Sequence, residues 1–445
     1  MTVRLASIVV GSATLLLLCV PAWAQDDRRP SRPYRGLFGP DARDAAQVLS
    51  ANGAIGIGYD TDVVAQHRDL ALASLSLERT ADPYSLFGGG LSYMDHGERY
   101  DFGASIQSIA RNYARFSTVS SHAATVSGAL RVARRTTLVA AQTFSYEPFG
   151  TLFRFPTLAA PGIGQIQPTA PEFSVVGGSY TTYSSSATAT QQLSKRSSVT
   201  ANYLYSGADL TASSSGGYRT QQGLLRFSHN MTRNTGWHAG YGYTVAHYPG
   251  AEDAMYRGDT IDVGIDYSRD LSVTRRTRLS FSTGATGIKE RGHTRYLVTG
   301  TAVLNREFGR TWRGAAVYTR SVGFFETIPL PYFYDGVSIG MFGLVSSRLE
   351  SHTSVGATFG DLSSPTVRPG SNRFTTGYGN TGILFAISRF VGVAADYLIY
   401  TYSVDDTSVI THGLLRPELT RQSVTVSLRA WVPIVERGRR PNATR

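Results

Sequence analysis

Between Ile261 and Tyr267 every second residue is apolar. Ile261, Val263, Ile265 and Tyr267 alternate with Asp262, Gly264 and Asp266. Trp237, Ala239, Tyr241, Tyr243 and Val245 alternate in the same way with His238, Gly240, Gly242 and Thr244. Val199, Ala201, Tyr203 and Tyr205 stand on the parity opposite Thr200, Asn202 and Ser206. A period of two puts successive side chains on opposite faces of a β-strand, and no helical period fits these stretches.

The alternating stretches are divided by short basic turns. "VARRTTL" from Val132, "LSKRSSV" from Leu193, "VTRRTRL" from Val273 and "ISRFVGV" from Ile387 are examples. From Arg233 onward such turns recur about every 35 to 42 residues, room for two strands, a tight turn and a longer loop. The pattern predicts about 18 strands (range 16–20) in one up-and-down antiparallel meander, the first near 51–60 and the last near 419–432. An even total places both chain ends on the side of the basic turns. The run "LALASLSLER" from Leu70 to Arg79 also reads as a strand and sets the upper limit. Alternation of this kind suits either a soluble sandwich or a transmembrane barrel. So many strands in one meander, and tyrosines near strand ends where an aromatic girdle belongs, favour the barrel.

The chain's beginning supports export. Arg4, the apolar stretch Ile8–Val20 and the "AWA" at Ala22–Ala24 form a signal-peptide pattern over residues 1–24. Leu18 stands where a lipoprotein signal requires a small residue, so Cys19 is not read as a lipid anchor. Cys19 is the single cysteine, so the mature chain has no disulfide and no thiol chemistry. Residues 25–50 read as a flexible periplasmic leader, 51–433 as the barrel and 434–445 as a basic periplasmic tail. No later stretch is long and apolar enough for a spanning helix. The expected location is the bacterial outer membrane.

Charge adds less. The formal net charge is +11, nearly all of it from arginine. In an exported protein that points to lipid headgroups or anionic polysaccharide, not to nucleic acid. Basic turns are expected to cap strand ends at the headgroup level. Four arginines on the polar parity, Arg226, Arg278, Arg295 and Arg429, are candidates to line a positive lumen that favours anions. The Pro-rich, apolar stretch Glu147–Glu172 is expected to fold into the lumen as a constriction, with Phe149, Phe153, Arg154 and Phe155 as its candidate residues, or to pack outward with its neighbours. Trp431 lies on the inward parity of the last strand, away from the usual place of an insertion signal. The nine histidines are scattered and no HExxH pattern occurs, so no catalytic, cofactor or metal residues are assigned.

"YRGLFG" at Tyr34–Gly39, "GIGYDTDV" at Gly56–Val63 and the closing "RQSVTVSLRAWVPI" resemble segments of a group of bacterial β-barrel porins found near exopolysaccharide-export genes. That group carries a "GYDDN"-like end to its first strand, where this chain has Asp62 and Val63 in the last part. The resemblance implies an outer-membrane barrel acting as a conduit for polar or anionic solutes or polysaccharide. It carries no ligand residues. The expected partners are outer-membrane lipids and the barrel-insertion machinery. The alternatives are a structural or adhesive barrel with a closed lumen and, less favoured, a barrel enzyme.

Overall fold

In the computed structural model, residues 45–63, 81–115, 118–148, 179–210, 217–248, 254–270, 276–290, 293–309, 311–324, 331–362, 373–404 and 418–439 are described. They form a single sheet of 18 strands. The strands are β1 (Ala45–Asp60), β2 (Asp82–His96), β3 (Tyr100–Tyr113), β4 (Thr118–Ala133), β5 (Thr136–Pro148) and β6 (Ser179–Gln192). There follow β7 (Ser197–Leu210), β8 (Tyr218–Asn230), β9 (Thr235–Tyr248), β10 (Ala254–Asp270), β11 (Thr277–Glu290) and β12 (His293–Phe308). The last six are β13 (Trp312–Phe324), β14 (Pro331–Ser346), β15 (Leu349–Leu362), β16 (Arg373–Ala386), β17 (Val391–Val404) and β18 (Glu418–Arg439). Each pairs antiparallel with the next, and β1 also pairs with β18, so the sheet closes into an up-and-down barrel.

Closure leaves no free edge. Every strand has a hydrogen-bonded neighbour on both sides, the condition for a sheet to cross hydrocarbon. Strands ~4.8 Å apart and tilted by ~40° give 18 of them a backbone diameter of about 35 Å.

The even strand count puts both chain ends at one end of the barrel. Arg134–Arg135 alone join β4 to β5, and residues 347–348 alone join β14 to β15 at that end. The opposite end carries the long connections, such as 149–178 between β5 and β6. Two connections there are short, 114–117 after β3 and 291–292 after β11, so the loop rim is uneven. The run Leu70–Arg79 lies outside the described residues, in the connection between β1 and β2.

The side chains sort by parity. Ile55, Ile57, Val126, Leu138, Tyr241, Val263, Val298, Ile339 and Val426 are exposed on the outer face around the whole circumference. So much contiguous exposed apolar surface has no place in water and is the belt of a membrane-spanning barrel. Most of their chain neighbours point inward and are polar, small or buried.

The strand-end tyrosines do not all form a girdle. Tyr84, Tyr113, Tyr218, Tyr248, Tyr334, Tyr400 and Tyr402 lie near the loop end, and each is buried on the inward parity. Strand-end position alone points such tyrosines to the lipid interface, and for these seven the structure corrects that expectation. Position along a strand does not decide the face; parity does, and one residue reverses it. Several inward rings lie over a glycine of the adjacent strand, as Tyr84 does over Gly58 and Phe374 over Gly360. The missing Cβ leaves the space the ring fills.

Two boundaries also differ from expectation. β1 begins at Ala45 and not near residue 51, and β18 runs on to Arg439. The extra residues pair with each other, Ala45 opposite Arg439 and Val48 opposite Glu436. These stretches lack clean alternation, and their strand character comes from the partner at the other end of the chain. Pro433 has no N–H to give the ladder, and the β1–β18 register shifts beside it, between Leu49 and Ser50.

At the loop end the seam is held by a buried ion pair. The Arg421 Nε of β18 donates to both carboxylate oxygens of Asp60 of β1, at 3.0 and 3.2 Å. Tyr113 of β3 donates its hydroxyl to Asp60 Oδ2 at 3.2 Å, and the Asp62 amide donates to Asp60 Oδ1 at 3.1 Å. Arg421 and Asp60 are both essentially inaccessible to solvent. Removing one partner of a buried pair strands the other charge and costs about 3–5 kcal/mol. Asp60→Asn is therefore expected to lower markedly the temperature at which the folded, fast-migrating band converts to the unfolded one on semi-native gels. The double variant Asp60→Leu/Arg421→Leu should recover much of the loss. An unchanged conversion temperature for Asp60→Asn would mean the pair does not hold the seam.

Candidate functional site: the lumen face

The inner face has three kinds of surface. The first is a wall of hydroxyls on β4 to β7. Thr125, Ser127, Thr143, Ser145, Thr182, Ser184, Thr188, Thr190 and Thr200 stand on the parity opposite the exposed Val126, Leu138, Phe144 and Tyr203. Many pair across strands. Ser145 and Thr182 lie 2.6 Å apart, and Thr188 donates to Asn202 Oδ1 at 2.8 Å. Ser127, Thr137 and Thr143 remain solvent-exposed, so this wall faces open space. Short hydroxyl side chains suit a pleated lining because cross-strand Ser and Thr hydrogen-bond to each other while leaving room inside.

The second surface is a charged cluster on β8 to β11, in the half of the barrel nearer the turns. The guanidinium of Arg226 grips Asp262 from two strands away, through Nε and through Nη2 at 2.9 Å from Oδ1. His238, with no accessible surface, lies between them and the next strand. Its Nε2 donates to the Thr283 carbonyl at 2.8 Å, and its Nδ1 is 2.8 Å from Asp266 Oδ2. The Thr283 carbonyl is available because the β10–β11 ladder is irregular between Ile261 and Asp266. A side chain thus completes hydrogen bonding that the ladder leaves open.

The third surface repeats this chemistry on β15 to β18. Arg429 of β18 is ion-paired with Asp396 of β17 and hydrogen-bonds Ser427 at 3.2 Å. His352 of β15 approaches the same aspartate at 3.7 Å and lies 3.1 Å from Asn380 Oδ1. This ring is partly open to the lumen. Beyond it toward the turns, Trp431 is buried with Leu384, Ala386 and Ala394.

The four candidate arginines are placed as follows. Arg226 and Arg429 lie on the inner face, each held by an aspartate. Arg278 shares the parity of Ser280 and Ser282 on β11 and lies 3.4 Å from Asp270 near the turn end. Arg295 is placed only by its backbone, in β12 opposite Ile288. Phe149, Phe153, Arg154 and Phe155 lie outside the described residues. The structure brings no two of Arg226, Arg278 and Arg429 together. Each of these three stands beside an aspartate, a pairing that alternation along a single strand does not reveal. The missed residues are Asp262, Asp266, His238, Asp396 and His352. Asp262, Asp266 and His238 are legible on the polar parity of their strands, and only the register between strands shows which partner each reaches.

Ion pairing shrinks the field that an arginine projects into a channel. One unpaired charge ~10 Å from a passing ion in water is worth about 0.4 kcal/mol, on the order of a twofold change in permeability ratio. Asp396→Asn, which frees Arg429, is expected to move the reversal potential in a salt gradient toward anion preference by that factor. Arg429→Ala should move it toward cations. If neither variant shifts the potential, this cluster does not face the conducting path.

No protein-family model matches the chain, and no curated protein matches it. Solved structures give distant likenesses. OpdQ of Pseudomonas aeruginosa aligns over 87% of this chain and 98% of its own, at 9% identity and a TM-score of 0.40. OccK2 (OpdF) of the same organism, solved in complex with glucuronate, aligns over 87% and 98% at 8% identity and 0.42. The FrpB iron transporter of Neisseria meningitidis (F5-1 variant) aligns over 87% and 83% at 8% identity and 0.43.

Proposed function

We propose that this chain is a porin-like channel of the bacterial outer membrane that passes polar solutes with little charge preference. The observation that carries the reading is the solvent-exposed hydroxyl wall inside a closed barrel of 18 strands. Barrels of 16–18 strands enclose an aqueous channel unless something fills them. The turn end then faces the periplasm, where the arginines of the tight turns meet headgroups and water, and the loop end faces outward. The lumen arginines still belong to the reading. Paired with Asp262 and Asp396, they tune a path that is close to neutral and do not make it strongly anion-selective. Passage of a polysaccharide, which the sequence resemblance implies, is the same conduit with a longer solute. A wall of hydroxyls hydrogen-bonds sugar hydroxyls without requiring charge.

The test is single-channel recording of the refolded mature protein in a planar bilayer. Stable steps with a cation-to-anion permeability ratio near one are expected. Steps with strong anion preference would keep the pore and overturn the neutral lumen. A correctly folded, heat-modifiable barrel that gives no steps would overturn the channel and favour a structural barrel. Transient blockade of the steps by a neutral oligosaccharide, absent with a charged one of equal size, would support the sugar-chain form of the reading.

A further inference from the structure

The outer face is not uniformly apolar. At mid-strand positions it carries Leu225, Val263, Val298 and Ile339, each more than half exposed. The middle of β5 carries Gln142 instead. It stands on the outward parity between the exposed Leu138 and Phe144, opposite Val126 on one side and Ser185 on the other. Ser185 donates its hydroxyl to Gln142 Oε1, and Gln142 Nε2 donates to the Thr143 carbonyl at 3.3 Å. A carboxamide has two N–H donors. Among the described residues the second has no acceptor. A polar group at this depth, turned to lipid with a donor unused, is costly. Around it the outer face is shallow, with Gly128, Ala140, Ala187 and Ala189 at successive outward positions of β4 to β6.

We infer that this sector is a self-association surface, covered in the membrane by the same sector of a second copy of the chain. Small residues let two backbones approach, and a side-chain amide supplies hydrogen bonds across an interface in lipid. A second copy fits for three reasons. It presents the sector at the same depth and in the same orientation without adjustment. A carboxamide is both donor and acceptor, so Gln142 is complementary to itself across a two-fold axis. Four strands, β3 to β6, over a ~25 Å apolar height offer about 600 Å² per copy, and the resulting ~1,200 Å² meets what a specific interface needs. This inference is independent of whether the lumen conducts.

Cys19 is the only cysteine and precedes the mature chain, so one introduced thiol reports one position. The full barrel carrying Ala187→Cys, in intact outer membranes, is treated with a short bis-maleimide. A barrel carrying Val298→Cys, on the apolar part of the belt, is the control. The expected result is a crosslinked species of two chains from Ala187→Cys and little from Val298→Cys. Adding Gln142→Leu should reduce the crosslinked fraction several-fold while the folded, heat-modifiable band persists. Equal crosslinking at both sites, no crosslinking at either, crosslinks only to other proteins, or no effect of Gln142→Leu would each overturn the inference.

Discussion

A backbone inside hydrocarbon has no water to bond to, and this chain meets that constraint by joining its first strand to its last. Everything else in the fold depends on the β1–β18 seam. Without it two rows of N–H and C=O groups would face lipid, and no side-chain contact could compensate for them. The seam joins the most distant strands in the sequence. It also carries unusual reinforcement, since Asp60 and Arg421 are 361 residues apart and wholly buried together. β18 runs well past the β16–β17 hairpin, with Arg439 still paired to Ala45 of β1.

Closure divides the side chains between two solvents. With period two along every strand, one parity is committed to lipid and the other to the interior. The interior is not uniform. β4 to β7 offer hydroxyls to open space, whereas the loop ends of β2, β8, β14 and β17 bury tyrosines. The charged groups fall into compensated clusters on separate arcs. A low-dielectric wall penalises a lone charge and favours pairs reached across neighbouring strands, so arginines in a lumen tend to be found beside carboxylates. The arrangement gives a path lined by hydrogen-bonding groups with a weak net field, the basis of the proposed channel. The departure at Gln142 is on the other face, where a polar group stands in the lipid belt.

Much of this was legible from the residues alone. Alternation is a local signal, and the basic turns mark strand ends, so the strand count, the meander and the face taken by residues such as Val263 and Asp262 follow from the chain read in order. Arg226, Arg278 and Arg429 share the parity of the polar residues on their strands for the same reason. What the sequence could not supply was their company. Asp262 reaches Arg226 only because β8, β9 and β10 are staggered in one register, and Asp396 reaches Arg429 only through the pairing of β17 with β18.

By itself, then, the sequence determined an antiparallel barrel of about 18 strands, its turn end and its two faces, because each rests on a period of two and on turn residues that act over a few positions. Tertiary structure decided the seam and its buried ion pair, the extension of β1 and β18, the inward turn of the strand-end tyrosines, and which aspartate neutralises which arginine. Those depend on the register between strands. Register is a cooperative property of the closed sheet, and a slip of one residue would reverse every one of them.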